Sequence, residues 1–208
     1  MTVSYPRRGE VRTLLGAVGG VDLSIGIRIA AVLFITALTA AAAQVSVPLP
    51  FTPVPLTLQP MVVLLGGAAL GSRLGMTAQM LYLLAGLAGL PVFAASLTLP
   101  QGALRLIGPT GGYLMSYPFA AFLTGVLAER GFDRRYLTSV LAMTAGLAVI
   151  FACGIAWLAW FAQPVPAGLP AALATGLYPF FPADLVKIGA AAAITPAVWR
   201  LIGRTPGS

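Results

Sequence analysis

The sequence has 208 residues, 59% of them hydrophobic and 8% charged, with a net charge of +7 and a mean hydropathy of +0.94. A water-soluble domain carries roughly 25% charged residues, so a soluble fold is excluded for want of polar surface and the chain belongs in a bilayer. The absence of histidine and the single cysteine exclude imidazole metal sites, Ser-His triads and a disulfide framework.

A spanning helix needs about 20 mostly apolar residues, and chain order is set by where such stretches fall. Residues 1–27, with Arg7, Arg8, Glu10, Arg12 and Asp22, read as a cytoplasmic N-terminal segment. A signal peptide ending near Ala41-Ala42-Ala43 is the lesser reading, because the lead is long and further spans follow at once. The first span covers about 29–47. Within it Thr36 and Ala40, and Ala37 and Ala41, form small-xxx-small rows that admit a second helix closely. They serve either packing inside the bundle or docking of a partner membrane subunit, for which Ala37 and Ala41 are the candidates.

The second span runs over about 57–70 and the third over 74–90, both shorter than the rule, which calls for tilt or dipping loops. The fourth covers about 111–128, the fifth 137–161 and the sixth 183–202. Prolines gather at 48–60, 164–170 and 179–182, between the spans. The expected architecture is all-α: one membrane bundle of six transmembrane helices over residues 28–202, with capping outer loops and a cytoplasmic tail at 203–208.

Six spans leave both termini on one side. That side collects Arg7, Arg8, Arg12, Arg28, Arg73, Arg130, Arg134, Arg135, Arg200 and Arg204, against Arg105 alone opposite. The positive-inside rule makes both termini cytoplasmic. Basic residues at span ends orient a protein in lipid, and no nucleic-acid partner is expected. The outer connections 48–56 and 162–178 are uncharged and rich in proline. They read as caps folded back over a cavity between helices, or as segments lying at headgroup level.

Ionisable groups inside a span are costly and usually functional. Asp184 and Lys187 share one face at i and i+3 of the sixth span, and Pro182 starts that helix. They form either a helix cap with an intrahelical ion pair or a polar binding site. Lys187 is the only lysine in the chain. Arg105, the outer cation, fits either a substrate carboxylate or lipid phosphate. Gly108-Pro-Thr-Gly-Gly-Tyr113 is a tight turn into the fourth span. Gly111, Gly112 and Tyr113 are either a wall of a ligand pocket or a closely packed helix entry. Gln59 and Gln79, polar within apolar runs, face a pocket or join helices by hydrogen bonds. No phosphate loop, zinc-protease motif or nucleophile elbow is present, and five acidic residues are too few for carboxylate-pair catalysis.

Four blocks taken together resemble the BioY family of biotin transporters: Phe51-Thr-Pro-Val-Pro-Leu-Thr-Leu-Gln59, Gly89-Leu-Pro-Val-Phe-Ala94, Gly108-Pro-Thr-Gly-Gly-Tyr113 and Pro182-Ala-Asp-Leu-Val-Lys187. The resemblance spans about residues 28–202. The chain departs from the family pattern at Ala183, where glycine usually precedes the aspartate, and in the loop Thr98-Leu-Pro-Gln-Gly-Ala-Leu-Arg105, which is poor in glycine. The resemblance implies the substrate-binding component of an energy-coupling factor transporter, not an enzyme, with no cofactor or metal of its own. It implies biotin as ligand, and as partners a transmembrane coupling subunit and two ATPase subunits, in the cell membrane. Asp184 and Lys187 would then meet the ureido head, Tyr113 with Gly111 and Gly112 the ring, and Arg105 or backbone N–H groups the carboxylate; the reverse orientation stays open. The competing expectations are a self-sufficient biotin carrier and a structural membrane protein without a small ligand.

Overall fold

The computed structural model describes residues 13–19, 23–95, 101–162 and 166–202. Most of the expected lead, with Arg7, Arg8, Arg12 and Asp22, and the 203–208 tail with Arg204 lie outside the described residues. So do residues 96–100 and 163–165 of the outer connections.

The elements in chain order are α1 (Leu14–Gly19), α2 (Ile25–Gln44), strands β1 (Ser46–Val47) and β2 (Leu56–Thr57), α3 (Gln59–Leu70), α4 (Ser72–Leu87), α5 (Leu104–Ile107), α6 (Gly111–Glu129), α7 (Tyr136–Trp160), α8 (Leu169–Gly176) and α9 (Phe181–Ile202), with a 3₁₀ turn at Phe132–Arg134 between α6 and α7. Helices thus form in all six apolar stretches. Four of them, α2, α6, α7 and α9, are long and apolar enough to cross a membrane. Helices α3 and α4 have 12 and 16 residues, fewer than the roughly 20 that a hydrocarbon core requires. The expected spans 57–70 and 74–90 take in Thr57 of β2 and the Ala88–Leu90 turn, where the backbone leaves the helix.

Helix α6 is the centre of the bundle. It packs on α3 and α4 along one side and on α7 along the other, while α2 covers α3 and α4, and α9 covers α7 and α3. Lipid gives two apolar helices no hydrophobic reason to meet, so close backbone approach and internal hydrogen bonds do that work. A Cβ on Gly67 would collide with the backbone of Ala121, and one on Gly125 with that of Gly71 and Ser72. Large side chains such as Leu33, Phe34, Phe119, Leu141 and Val186 project outward instead, which suits a surface solvated by acyl chains.

The two ends of the bundle differ. At one end α3 turns into α4 through Gly71, whose φ of +86° favours glycine. Helix α4 has no cap of its own; Glu129 of α6 supplies one, accepting from Ser72 N at 2.7 Å and Ser72 Oγ at 2.8 Å. At the same end Trp199 Nε1 donates to Asp133 Oδ2 at 2.6 Å, and Arg134 lies over the Trp199 ring at 4.4 Å. The opposite end holds the irregular pieces. Strands β1 and β2 pair antiparallel, with Ser46 opposite Thr57 and Val47 opposite Leu56, and pin the base of the 48–55 loop beside α5, α8 and the start of α9.

Candidate functional site

Pro182 sits in the first turn of α9, where its missing N–H costs nothing. Two residues later the turn presents Asp184, and one further turn presents Lys187 on the same face. The Lys187 ammonium lies 2.7 Å from Asp184 Oδ1 and donates also to the Thr57 carbonyl of β2 at 2.7 Å. An ammonium has three donors, so one is left over. Both residues line a cavity walled by Tyr113, Tyr117, Phe151 and Phe180, with Val54, Pro55 and Thr57 as its roof.

A second cavity shares Val54, Pro55, Thr57 and Tyr117 with the first, so the two lie side by side on either side of these residues, as two lobes. This lobe is lined by Gln59, Thr110, Phe93 and Arg105. Arg105 stands on the short α5 and is 4% exposed. Its Nη2 donates to the Ala94 carbonyl, while its Nε is buried without a partner. Burial draws the guanidinium below its ordinary pKa. A buried cation without an anion is costly, and the lobe contributes no carboxylate to balance it. The geometry is that of a receptor for an anionic or acceptor-rich group.

The lobes are small, about 40 and 50 Å³. One water needs roughly 10–15 Å³, so each holds a few waters, with the 48–55 loop over both. That loop is fastened. Thr52 Oγ1 donates to the Thr175 carbonyl of α8 at 2.6 Å and accepts from Val54 N at 3.1 Å.

The structure brings Asp184, Lys187, Tyr113, Arg105 and Gln59 to this cleft. Tyr113 contributes its ring, packed edge-on to Phe151, because its hydroxyl donates to the Gly176 carbonyl at 2.9 Å. Gly111 and Gly112 do not line either lobe. They let the start of α6 pack against the Leu106 carbonyl, Trp157 and the Cys153 carbonyl, and Gly112 borders an outward apolar crevice instead. Gln79 is also away from both lobes, fully buried between α2 and α4, donating to Thr39 Oγ1 at 3.2 Å with its Oε1 unpaired. Ala37 and Ala41 are exposed on the outer face of α2. The neighbouring Thr36 turns inward, and its hydroxyl reaches the Ala78 carbonyl at 2.9 Å.

Sequence reasoning missed Thr57, Phe93, Thr110, Tyr117 and Phe151. Tyr117 carried a signal, since it follows Tyr113 by one helical turn and shares its face. Thr57 acts through its backbone carbonyl, which no sequence pattern marks. Among the described residues no three His, Cys, Asp or Glu side chains gather as a metal site would require.

Comparison with known proteins agrees on one family. The model of the BioY family matches residues 20–204. A protein of Pyrococcus horikoshii named probable biotin transporter BioY is 41% identical over 169 residues, covering 81% of this chain and 92% of its own length. The biotin transporter BioY of Thermotoga maritima is 38% identical, covering 76% of this chain and 88% of its own. Among solved structures, the S-component for biotin from an ECF-type ABC transporter superposes with a TM-score of 0.74 at 26% identity, over 88% of this chain and 96% of that one.

Proposed function

The chain belongs to the BioY family, and from that premise we propose that it is the biotin-binding subunit of an ECF-type uptake transporter. Its own role is capture and passage of the vitamin, not an enzymatic reaction. A transmembrane coupling subunit and two ATPase subunits complete the assembly, and the exposed Ala37/Ala41 row of α2 is where the coupling subunit's helix comes closest. The protein lies in the cell membrane with both termini cytoplasmic, and α3 and α4 complete a six-helix bundle with tilt or local thinning offsetting their length.

The observation that carries this reading is the two-lobed cleft with a charged anchor in each lobe. Biotin is a rigid ureido bicycle joined by an apolar chain to a carboxylate. The lobe with Asp184 and Lys187 offers an acceptor and a donor to the ureido N–H and carbonyl, and Tyr113, Tyr117 and Phe151 enclose the ring. The Arg105 lobe offers an unpaired guanidinium N–H to the carboxylate, a charge-assisted bond stronger than a neutral one.

Calorimetry on detergent-purified protein tests the site. Biotin binds the wild type, and Asp184→Ala weakens it by about 10- to 100-fold, the worth of one hydrogen bond to a charged group, without loss of the folded bundle. Unchanged affinity would reduce Asp184 to a helix cap. Uptake of biotin by vesicles holding this chain with and without the ATPase partners separates the subunit from a self-sufficient carrier; full uptake without them would contradict the partnered reading.

A further inference from the structure

Residues 91–94 lie beyond α4, outside helix and strand, yet each of their four carbonyls is held. Gln44, the last residue of α2, donates from Nε2 to the Pro91 carbonyl at 3.3 Å and reaches that of Phe93 at 3.5 Å. The Tyr82 hydroxyl of α4 donates to the Val92 carbonyl at 3.1 Å, and Gln101 Nε2 to the Phe93 carbonyl at 3.1 Å. Arg105 Nη2 takes the Ala94 carbonyl. All four donors are side chains; among the described residues no backbone N–H reaches these carbonyls. The Phe93 ring is pinned as well, edge-on to Tyr82 with centroids 5.5 Å apart, in a space that a Cβ on Gly86 would fill.

Unpaired carbonyls are costly in a lipid-embedded fold, which accounts for donors of some kind but not for where they converge. Phe93, Ala94 and Arg105 all line one lobe, whereas Gln44, Tyr82 and Gln101 line neither. Helix α5, which carries Arg105, has four residues, too few to hold its own shape. The place of Arg105 therefore depends on what it is tied to.

We propose that residues 91–94 are a strap that positions Arg105 for the ligand's carboxylate, with Gln44, Tyr82 and Gln101 as positioning residues that tether it. Gln44 and Tyr82 fasten the strap to the long helices α2 and α4, and Gln101 fastens it to the approach to α5. The Ala94 carbonyl then holds one edge of the guanidinium. An anchor fixed before the ligand arrives does not have to be ordered on binding. A slack strap leaves Arg105 in its binding position for only part of the time, and the apparent affinity for the carboxylate falls by that fraction. The ureido end, met by Asp184 and Lys187, is untouched.

The inference rests on the biotin-binding reading. Calorimetry on the full-length purified protein compares biotin with its primary amide, which keeps the ureido bicycle and lacks the negative charge. Gln101→Leu keeps the bulk of the side chain and removes the donor. It is expected to weaken biotin about fivefold, the worth of roughly one hydrogen bond, and the amide less than about twofold. In an Arg105→Ala background the same change has no further effect on biotin, because its route to the ligand is gone. Equal losses for the two ligands, or in the two backgrounds, would mean that the tether acts on the cavity wall or the fold at large. No loss at all would mean that Arg105 needs no tether; each of these overturns the proposal. Melting temperatures in detergent identify an unfolded variant, in which event Gln44→Leu, at the exposed end of α2, replaces Gln101→Leu in the same comparison. Where Arg105→Ala binds too weakly to measure, biotin against its amide decides. A wild type that binds neither ligand sinks the parent reading instead.

Discussion

Asp133 occupies the turn between α6 and α7, buried, with Oδ2 held by the Trp199 indole and Oδ1 unpaired. Burial pushes its pKa above the ordinary carboxylate value, against the opposing pull of the Trp199 hydrogen bond and nearby Arg134. A raised folded pKa means that the group's contribution is fully present below the unfolded value near 3.9 and is lost as pH rises through the folded value. At neutral pH the fold therefore carries a charge that it would rather not bury. Asp133→Asn keeps an acceptor for Trp199 and removes that charge. Thermal melts in detergent at about pH 4 and about pH 7 are expected to show the variant at least as stable as wild type at the higher pH, with a smaller drop between the two. A variant less stable at neutral pH would contradict this. Legibility in the sequence followed the same logic of scarcity. Asp184, Lys187 and Arg105 were readable because charge is rare in this chain, whereas the Thr57 carbonyl that Lys187 meets was not.

At the scale of elements, runs of apolar residues located α2, α3, α4, α6, α7 and α9, of which α2, α6, α7 and α9 are long enough to cross a membrane, because length and hydropathy are what lipid reads. They did not locate the ends of α3 and α4. The expected span of about 57–70 opens on Thr57, which pairs with Ser46 of β1, and hydropathy does not distinguish a strand residue from a helical one at a single position. The short α5 and α8 were equally invisible, since four and eight residues hold too few turns for a period to emerge. The uncharged 48–56 loop was read as a cap, and Val54 and Pro55 do roof both lobes. Its fastening came from one hydroxyl, Thr52, bonded across to α8. Thr52→Val keeps the shape and deletes that bond. Stopped-flow measurement of biotin release is expected to show dissociation faster by about fivefold, for roughly 1 kcal/mol lost from the closed state, with Thr52→Ser restoring it. An unchanged rate in Thr52→Val would show that the loop moves without breaking this contact.

For the whole molecule, the division of labour between the two ends follows from how charge is spent in lipid. Glu129, Asp133, Arg134 and Trp199 knit turns together at one end, leaving the other end to short elements, small cavities and the three ionisable groups of the cleft. The small-residue crossings of α3, α4 and α6 bring backbone against backbone at Gly67 and Gly125. The central claim is that one molecule bridges the two lobes. Determining the structure of the purified protein with biotin tests it most directly. The vitamin is expected to lie between Asp184/Lys187 and Arg105, with the 48–55 loop moved outward to make room. Biotin lodged anywhere outside that cleft, or a cleft unchanged and empty at saturating biotin, would contradict it.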